Sequence, residues 1–298
     1  MGRKIKNNNI TTTLWGGLGN QLFIYAACRR LSIKSGLELI IDDKSGFSKD
    51  KKYRRSNQLN NFLIPFYNER KHLNKIKKFS SFDRRIKKYI NNFLPLNYKT
   101  YIFQKSPDFD SRILTLRPKR NLRIEGYWQS ENYFLDIENI IRDDLRFNNQ
   151  LNDKNIYNEK LIRNENSIAL HIREPNKNLQ NSELRDLKDY YIKSIEIINK
   201  KIENPYFFIF GEFKNIDYLI QYLKKYRFKV FCDNTEIEDL YLMKLCRHFI
   251  ISDSTFSWWG AWLSTNKNKI IIAPGYTDYN LERCWGFEGL IPKNWLVI

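Results

Sequence analysis

The sequence is poor in residues that staple small folds or hold metals, with four cysteines and three histidines in 298 residues. Cys28, Cys232, Cys246 and Cys284 show no CxxC spacing and no ladder of short loops. That excludes a disulfide scaffold and reads as a reduced protein with four small apolar side chains. His72, His171 and His248 stand at no metal-binding spacing, so a zinc site lacks its ligands. No run of about 18 uncharged apolar residues occurs, so no segment reads as a membrane-spanning helix. The opening Met1-Gly-Arg-Lys-Ile-Lys-Asn is basic but leads into threonines and a glycine turn, not an apolar stretch, and no secretory signal is expected. Myristoylation at Gly2 would want Ser or Thr at position 6, where Lys6 stands. The expectation from these absences is a cytoplasmic location.

Acidic residues are scarce: 33 Asp and Glu face 51 Lys and Arg, a net charge of +18. Such a balance suggests an anionic partner, although a Lys/Asn/Ile-rich composition can also follow from an AT-rich genome. The charge is concentrated in Lys49–Arg55 and again in Arg70–Lys88. Through the second block, Leu73, Ile76, Phe79, Phe82, Ile86, Tyr89, Ile90 and Phe93 recur at steps of three and four, the pattern of a basic amphipathic helix or two short ones. Two readings fit it: a surface helix packed by its apolar stripe with its lysines in water, or a peripheral hold on anionic lipid at the inner face of the membrane. A nucleic-acid-binding protein would need basic residues interleaved with exposed aromatics. Most of the aromatics here lie in apolar strands and helix stripes, so nucleic acid is not the expected partner.

Apolar residues make up 42% of the chain and aromatics 15%, ample for packed cores. Ile10–Leu14, a glycine turn, a helix over Asn20–Lys34 and a strand over Leu37–Ile41 form a βαβ unit. The stretch from 44 to 120 is basic and irregular; Leu122–Tyr127 reads as a strand and Ser130–Leu145 as a helix. After the polar segment Asn148–Asn166, strands at Ser167–Arg173, Pro205–Phe210, Lys229–Cys232, His248–Ser252 and Lys269–Ala273 alternate with helices. Regular β–α alternation predicts parallel sheets covered by helices. The expected fold is α/β with two domains, an N-terminal one over 1–155 carrying the basic helical insertion and a C-terminal one over 156–298.

In such sheets ligands gather at the carboxyl ends of strands. Gly16-Gly-Leu-Gly-Asn-Gln-Leu-Phe follows the first strand, and its glycines allow close backbone approach to a phosphate at a helix N-terminus. It is not a dinucleotide fingerprint, because Leu22 stands where GxGxxG needs its last glycine. His171-Ile-Arg173 ends another strand, and an arginine there can clamp a diphosphate with its planar fork. Ser252-Asp-Ser-Thr-Phe-Ser-Trp-Trp-Gly-Ala-Trp-Leu supplies hydroxyls that cap a helix and amides that can bind phosphate. Each segment also has a plain structural reading: a tight turn, a core histidine beside a surface arginine, and a helix cap with packing tryptophans.

Taken together, GGLGNQLFIYA (16–26), GYWQSENYF (126–134) and SDSTFSWWGAWL (252–263) closely resemble the hallmark segments of family 11 glycosyltransferases, the α1,2-fucosyltransferases, in order and in spacing. The resemblance runs from about residue 10 to the end. It implies a GT-B-like fold of two Rossmann-like domains facing a central cleft, the N-terminal one on the acceptor side and the C-terminal one binding GDP-sugar. It implies inverting transfer of fucose from GDP-fucose to a galactose-containing, lipid-linked or free, surface-glycan acceptor such as O-antigen. Carried over residue by residue, it makes Arg173 the catalytic residue that grips the diphosphate. It assigns substrate contacts to His171, Asn20, Gly17, Gly19, Ser254, Thr255 and the Phe256 amide, and the guanine edge to Asp239. A carboxylate suits guanine, which offers N1–H and the 2-amino group as paired donors.

The sequence departs from the family pattern where Glu174 and Asn176 replace a second arginine and an aspartate, and where only Glu212 is acidic in Phe210-Gly-Glu-Phe. The only D-x-D, Asp108-Phe-Asp110, follows Pro107 in the irregular middle and reads as a loop. The expectation is therefore activity without a metal or any other cofactor. A different GDP-sugar, such as GDP-mannose, is the alternative donor, and the base that deprotonates the acceptor hydroxyl is unassigned.

Overall fold

The computed structural model describes residues 8–65, 79–148, 152–173, 181–211, 217–275 and 285–298. The chain divides into two compact units, Met1–Asn148 with Phe287–Leu290, and Asn149–Gly286 with Ile291–Ile298.

The first unit is built on β1 (Asn9–Thr13), α1 (Leu18–Ser35), β2 (Glu38–Asp42), α2 (Ser81–Asn92), β3 (Tyr101–Phe103), β4 (Leu122–Glu125) and α3 (Glu138–Asp144). Its four strands run parallel in the order β2-β1-β4-β3. Helix α1 is buried around nearly its whole circumference, every residue from Gln21 to Cys28 included, as expected of a core helix and not of a one-sided surface helix. It ends where Gly36 takes the left-handed conformation (φ +66°) and its N–H reaches the Ile33 carbonyl. The helix expected over Ser130–Leu145 is two short 3-10 turns, Glu131–Tyr133 and Leu135–Ile137, leading into α3. Ser130 caps the first turn through the Asn132 amide, which diverts the backbone before an α-helix can start.

One face of the first sheet is polar yet buried. Glu125 accepts Tyr101 Oη at 2.7 Å, Thr13 Oγ1, and both guanidinium arms of Arg84 at 2.8 and 3.0 Å. Arg123 donates to Asp42 at 2.8 Å. Burial pushes the Asp42 carboxyl up, but hydrogen bonds from Ser45 and the Arg123 guanidinium outweigh it and hold the group below the usual carboxylate range. Two carboxylates against two guanidiniums leave no uncompensated charge inside, the condition under which such a layer is tolerated.

The second unit contains α4 (Asp153–Asn164), β5 (Ser167–Ile172), α5 (Asn181–Lys201), β6 (Tyr206–Gly211), α6 (Asp217–Leu223), β7 (Arg227–Val230), α7 (Glu236–Leu245), β8 (His248–Ile250), α8 (Thr255–Leu263), β9 (Ile271–Ala273) and β10 (Leu296–Val297). The six strands are parallel in the order β10-β9-β8-β5-β6-β7. β5 is buried at every position, the pattern of a central strand covered on both faces. On one side it meets Tyr191, Ile195 and Ile198 of α5. The polar stretch before β5 carries α4, which bonds to α7 through Asn155 Nδ2 to Glu238 and Tyr241 Oη to Glu159. The division at Asn148/Asn149 therefore keeps α4 whole within the second unit.

Candidate functional site

In the second sheet the chain moves outward from β5 through β6 to β7, then returns to place β8 and β9 on the other side of β5. The carboxyl ends of β5 and β8 thus flank the topological switch point, where open α/β sheets bind ligands. β5 delivers His171 there and ends at Ile172, so Arg173 is the first residue beyond the strand. β8 ends at Ile250 and is followed, after Ile251, by Ser252, Asp253 and Ser254. The two strand ends are tied together: His171 Nδ1 and Ser252 Oγ are hydrogen-bonded at 2.8 Å, and Arg173 Nη1 donates to the Asp253 carbonyl at 3.2 Å. The His171 ring lies 5.5 Å from that of Phe256.

Burial, then the neighbouring Arg173 charge, push the His171 imidazole down to about 3, so it is neutral at physiological pH. A ring that titrates so low is a weak base, and its use is as a fixed hydrogen-bonding group. Gly211, at the end of β6, has φ +110°, and a Cβ there would sit 2.0 Å from the Ile172 carbonyl oxygen and 3.2 Å from His171 Nε2. Only glycine lets β6 close on β5 at this point while leaving His171 Nε2 uncrowded.

Ser254 caps α8, its hydroxyl accepting the Phe256 amide at 3.3 Å, and Thr255 opens the helix. Downstream, Trp258, Trp259 and Trp262 are buried against one another, and Trp295 packs on Trp258. Gly260 presses on Met243 of α7, where a Cβ would come 2.2 Å from the sulfur. The tryptophans and this close approach fix the helix whose N-terminus faces Arg173's partner Asp253. Two tyrosines of α5 anchor the strand ends from the other side. Tyr191 Oη donates to the His171 carbonyl at 3.2 Å, and Tyr190 Oη reaches the Ile251 and Ile272 carbonyls.

Asp239 lies in α7, which starts at a Thr235/Glu238 capping box. Its hydrogen bond is to Asn234 Nδ2, at 2.9 Å, and not to the His171–Ser252 pair. Burial raises its carboxyl to about 6, Asn234 opposing the shift. Glu174, Asn176 and Glu212 lie outside the described residues.

The first unit repeats the arrangement on its own sheet, whose switch point falls between β1 and β4. Gly16 turns the chain at φ +78°, packed against Asn20 and Tyr127, and Gly17 is the N-cap of α1. Gly19 and Asn20 thus belong to the helix's first turn. Asn20 Oδ1 accepts Gln129 Nε2 at 2.7 Å, joining the two strand-end loops. After β4, Trp128 is buried at φ +56°, an uncommon conformation for a bulky residue. Gln104 Oε1 holds it by accepting both the Tyr127 and Trp128 amides, at 2.8 and 3.0 Å. A cavity of about 340 Å³ opens beside this turn, with Trp15, Tyr127, Gln104, Gln129 and Phe103 among its walls. Asp108 and Asp110, the D-x-D pair, serve local turns instead: Asp108 accepts Ser106 Oγ and the Glu288 amide, and Asp110 is paired with Arg112.

The glycine turn, the turn after β4 and the capped tryptophan helix carry the three segments 16–26, 126–134 and 252–263, which resemble family 11 in sequence. The sequence profile of Glycosyl transferase family 11 matches residues 4–298. The chain belongs to glycosyltransferase family 11. Two Escherichia coli relatives agree. An alpha-1,2-colitosyltransferase is 30% identical over 287 residues, covering 89% of this chain and 91% of its own. The O-antigen biosynthesis glycosyltransferase WbnK is also 30% identical over 287 residues, covering 88% and 92%. Among solved structures, a point mutant of Arabidopsis thaliana FUT1 in complex with GDP superposes with a TM-score of 0.52 at 11% identity, over 97% of this chain and 76% of that one. NodZ alpha-1,6-fucosyltransferase co-crystallized with GDP gives 0.52 at 13% identity, over 85% and 92%. The family 11 chain thus has the α/β, GT-B-type fold of these enzymes.

Proposed function

We propose that this family 11 glycosyltransferase moves fucose from GDP-fucose, with inversion, to a galactosyl hydroxyl of a surface-glycan acceptor, making an α1,2 linkage. The observation that carries the reading is the convergence of Arg173, neutral His171 and the N-terminus of α8 on one switch point. As the bond from the sugar to the diphosphate breaks, negative charge grows on the leaving group. A guanidinium tethered beside a helix N-terminus stabilises that charge without reorganising. His171 contributes a hydrogen bond whose protonation state does not change between pH 5 and 9. Asp239 reads the guanine edge. The acceptor's aromatic-lined place is the cavity of the first unit, where Trp15 and Tyr127 offer ring faces and Gln104 and Gln129 offer amides to hydroxyls.

The relatives' names support α1,2 transfer and O-antigen assembly, and one of them favours a second reading, in which the donor carries colitose. A panel of GDP-fucose, GDP-colitose and GDP-mannose with soluble galactosides, the product linkage read by NMR, separates these. Arg173→Ala is expected to keep the melting temperature and cut turnover by a hundredfold or more, about 3 kcal/mol. Lys at 173 should restore little, because an ammonium does not reproduce the fork. Near wild-type turnover in the Ala variant removes Arg173 from the chemistry. Activity is also expected to persist in EDTA, since charge stabilisation is supplied by the protein itself; loss restored by Mg²⁺ or Mn²⁺ refutes that part.

A further inference from the structure

Helix α2 is amphipathic in the inverted sense. Its polar side faces the protein: Asn91 is buried and accepts the Thr100 and Tyr101 amides at 2.6 and 3.0 Å, and Arg84 reaches in to Glu125. Lys88 lies over the Phe103 ring at 3.5 Å. Its apolar side faces solvent. Phe82, Ile86, Tyr89, Ile90 and Phe93 fall on one stripe, with 70%, 42%, 70%, 50% and 75% of their surfaces exposed. Among the described residues of this segment the packing reading holds for Phe79, whose ring packs at a tilt on Tyr101 and carries the Arg84 and Arg123 guanidiniums over it. Ile86 and Ile90 do not pack inward; Leu73 and Ile76 lie outside the described residues.

A stripe of this kind, left open on a helix that is otherwise well anchored, is built to meet something. Its rim is cationic. Arg85 and Lys88 are exposed, and a cavity of about 500 Å³ beside α2 has Lys87 and Arg120 among its walls. In the sequence the helix is preceded by Arg70, Lys71, Lys75, Lys77 and Lys78. From this geometry we infer that α2 is a docking face for an anionic lipid bilayer, lying in the headgroup region with Phe82, Tyr89 and Phe93 inserted and the arginines and lysines at the phosphates. Three aromatic and two aliphatic residues suit the interface, where amphipathic rings concentrate. The aliphatic pair argues against single-stranded nucleic acid, since isoleucine offers no π-face to a base. The basic rim argues against a second copy of this chain, because an isologous contact would set cation against cation.

The test is flotation of the full-length protein with vesicles of phosphatidylcholine plus phosphatidylserine, and with phosphatidylcholine alone. The wild type is expected to float with the anionic vesicles at low salt and to be released by high salt. The variant F82S/Y89S/F93S, whose changes are on solvent-facing side chains, is expected to lose flotation while keeping its melting temperature and its turnover on a soluble acceptor. R85Q/K88Q should weaken partitioning about fivefold per charge removed. Wild type that stays at the bottom of the gradient overturns the inference, as does undiminished flotation of the triple serine variant. So do a dimer that the serine variant dissociates, and binding of a single-stranded oligonucleotide that phosphatidylserine vesicles fail to displace. None of these outcomes depends on which sugar the enzyme transfers.

Discussion

At the scale of single residues, burial shifts two of the proposed site groups in opposite directions. His171 is held neutral, whereas Asp239 titrates near the physiological range at about 6. Because the folded protein holds the Asp239 proton more tightly than the unfolded chain, this group's contribution to stability falls as pH rises between 3.8 and about 6. Under the proposed reading of guanine by Asp239, the base's paired donors need the ionised form, so GDP affinity should move the opposite way. It is expected to be about tenfold weaker at pH 5 than at pH 7, measured by calorimetry against Asp239→Asn. That variant should bind GDP more weakly at pH 7 and lose the Asp239 component of the pH dependence; identical profiles would mean the base is read elsewhere. His171, Arg173 and the Ser254 cap were legible in the sequence because strand ends and helix starts have residue signatures. Ser252's bond to His171, the Tyr190 and Tyr191 anchors and the Gln129 partner of Asn20 were not. Each is a contact between residues far apart in sequence, which no local pattern encodes.

At the scale of elements, the strands expected in the second unit follow their sequence patterns within a few residues, because fully apolar runs such as Tyr206–Gly211 admit few alternatives. Legibility failed at α4, whose polar face hid a helix, and at β3 and β10, too short to announce themselves. It failed also in the direction α2 faces, since periodicity gives the stripe and not the side on which it is buried. Two glycines show how position decides a cost that residue type alone does not. Gly36 at φ +66° has nothing within 4 Å of a would-be Cβ, so Gly36→Ala should cost about 1–2 kcal/mol and leave GDP affinity alone. Gly211→Ala carries similar backbone strain and drives a methyl into the Ile172 carbonyl, adding about 1–3 kcal/mol of overpacking. Its larger signature should be loss of GDP affinity, as β5 and β6 part beside His171. Equal effects of the two substitutions on GDP binding would show that the β5–β6 closure does not shape the site.

At the scale of the whole molecule, two sheets with their own cores make unfolding in two steps the default expectation. GDP at a hundredfold above its dissociation constant should stabilise what it binds by about 2.7 kcal/mol, raising the corresponding melting transition by several degrees. In calorimetry the shift is expected in the transition of the second unit, with ADP and UDP producing little; a shift confined to the other transition would move the nucleotide site out of β5 and β8. The β–α alternation foretold the α/β class, but not that the chain re-enters its first unit near the end. Phe287 and Leu290 are buried there, the Phe109 amide donates to the Glu288 carbonyl at 3.0 Å, and Gly289 at φ +84° closes against Phe109. During synthesis the amino-terminal half therefore leaves the ribosome lacking a piece of itself. It must wait through the making of most of the second unit before the four late residues Phe287–Leu290 join it. A chain released early would thus leave two defective halves instead of one sound one, and a cut between them would not yield separable modules.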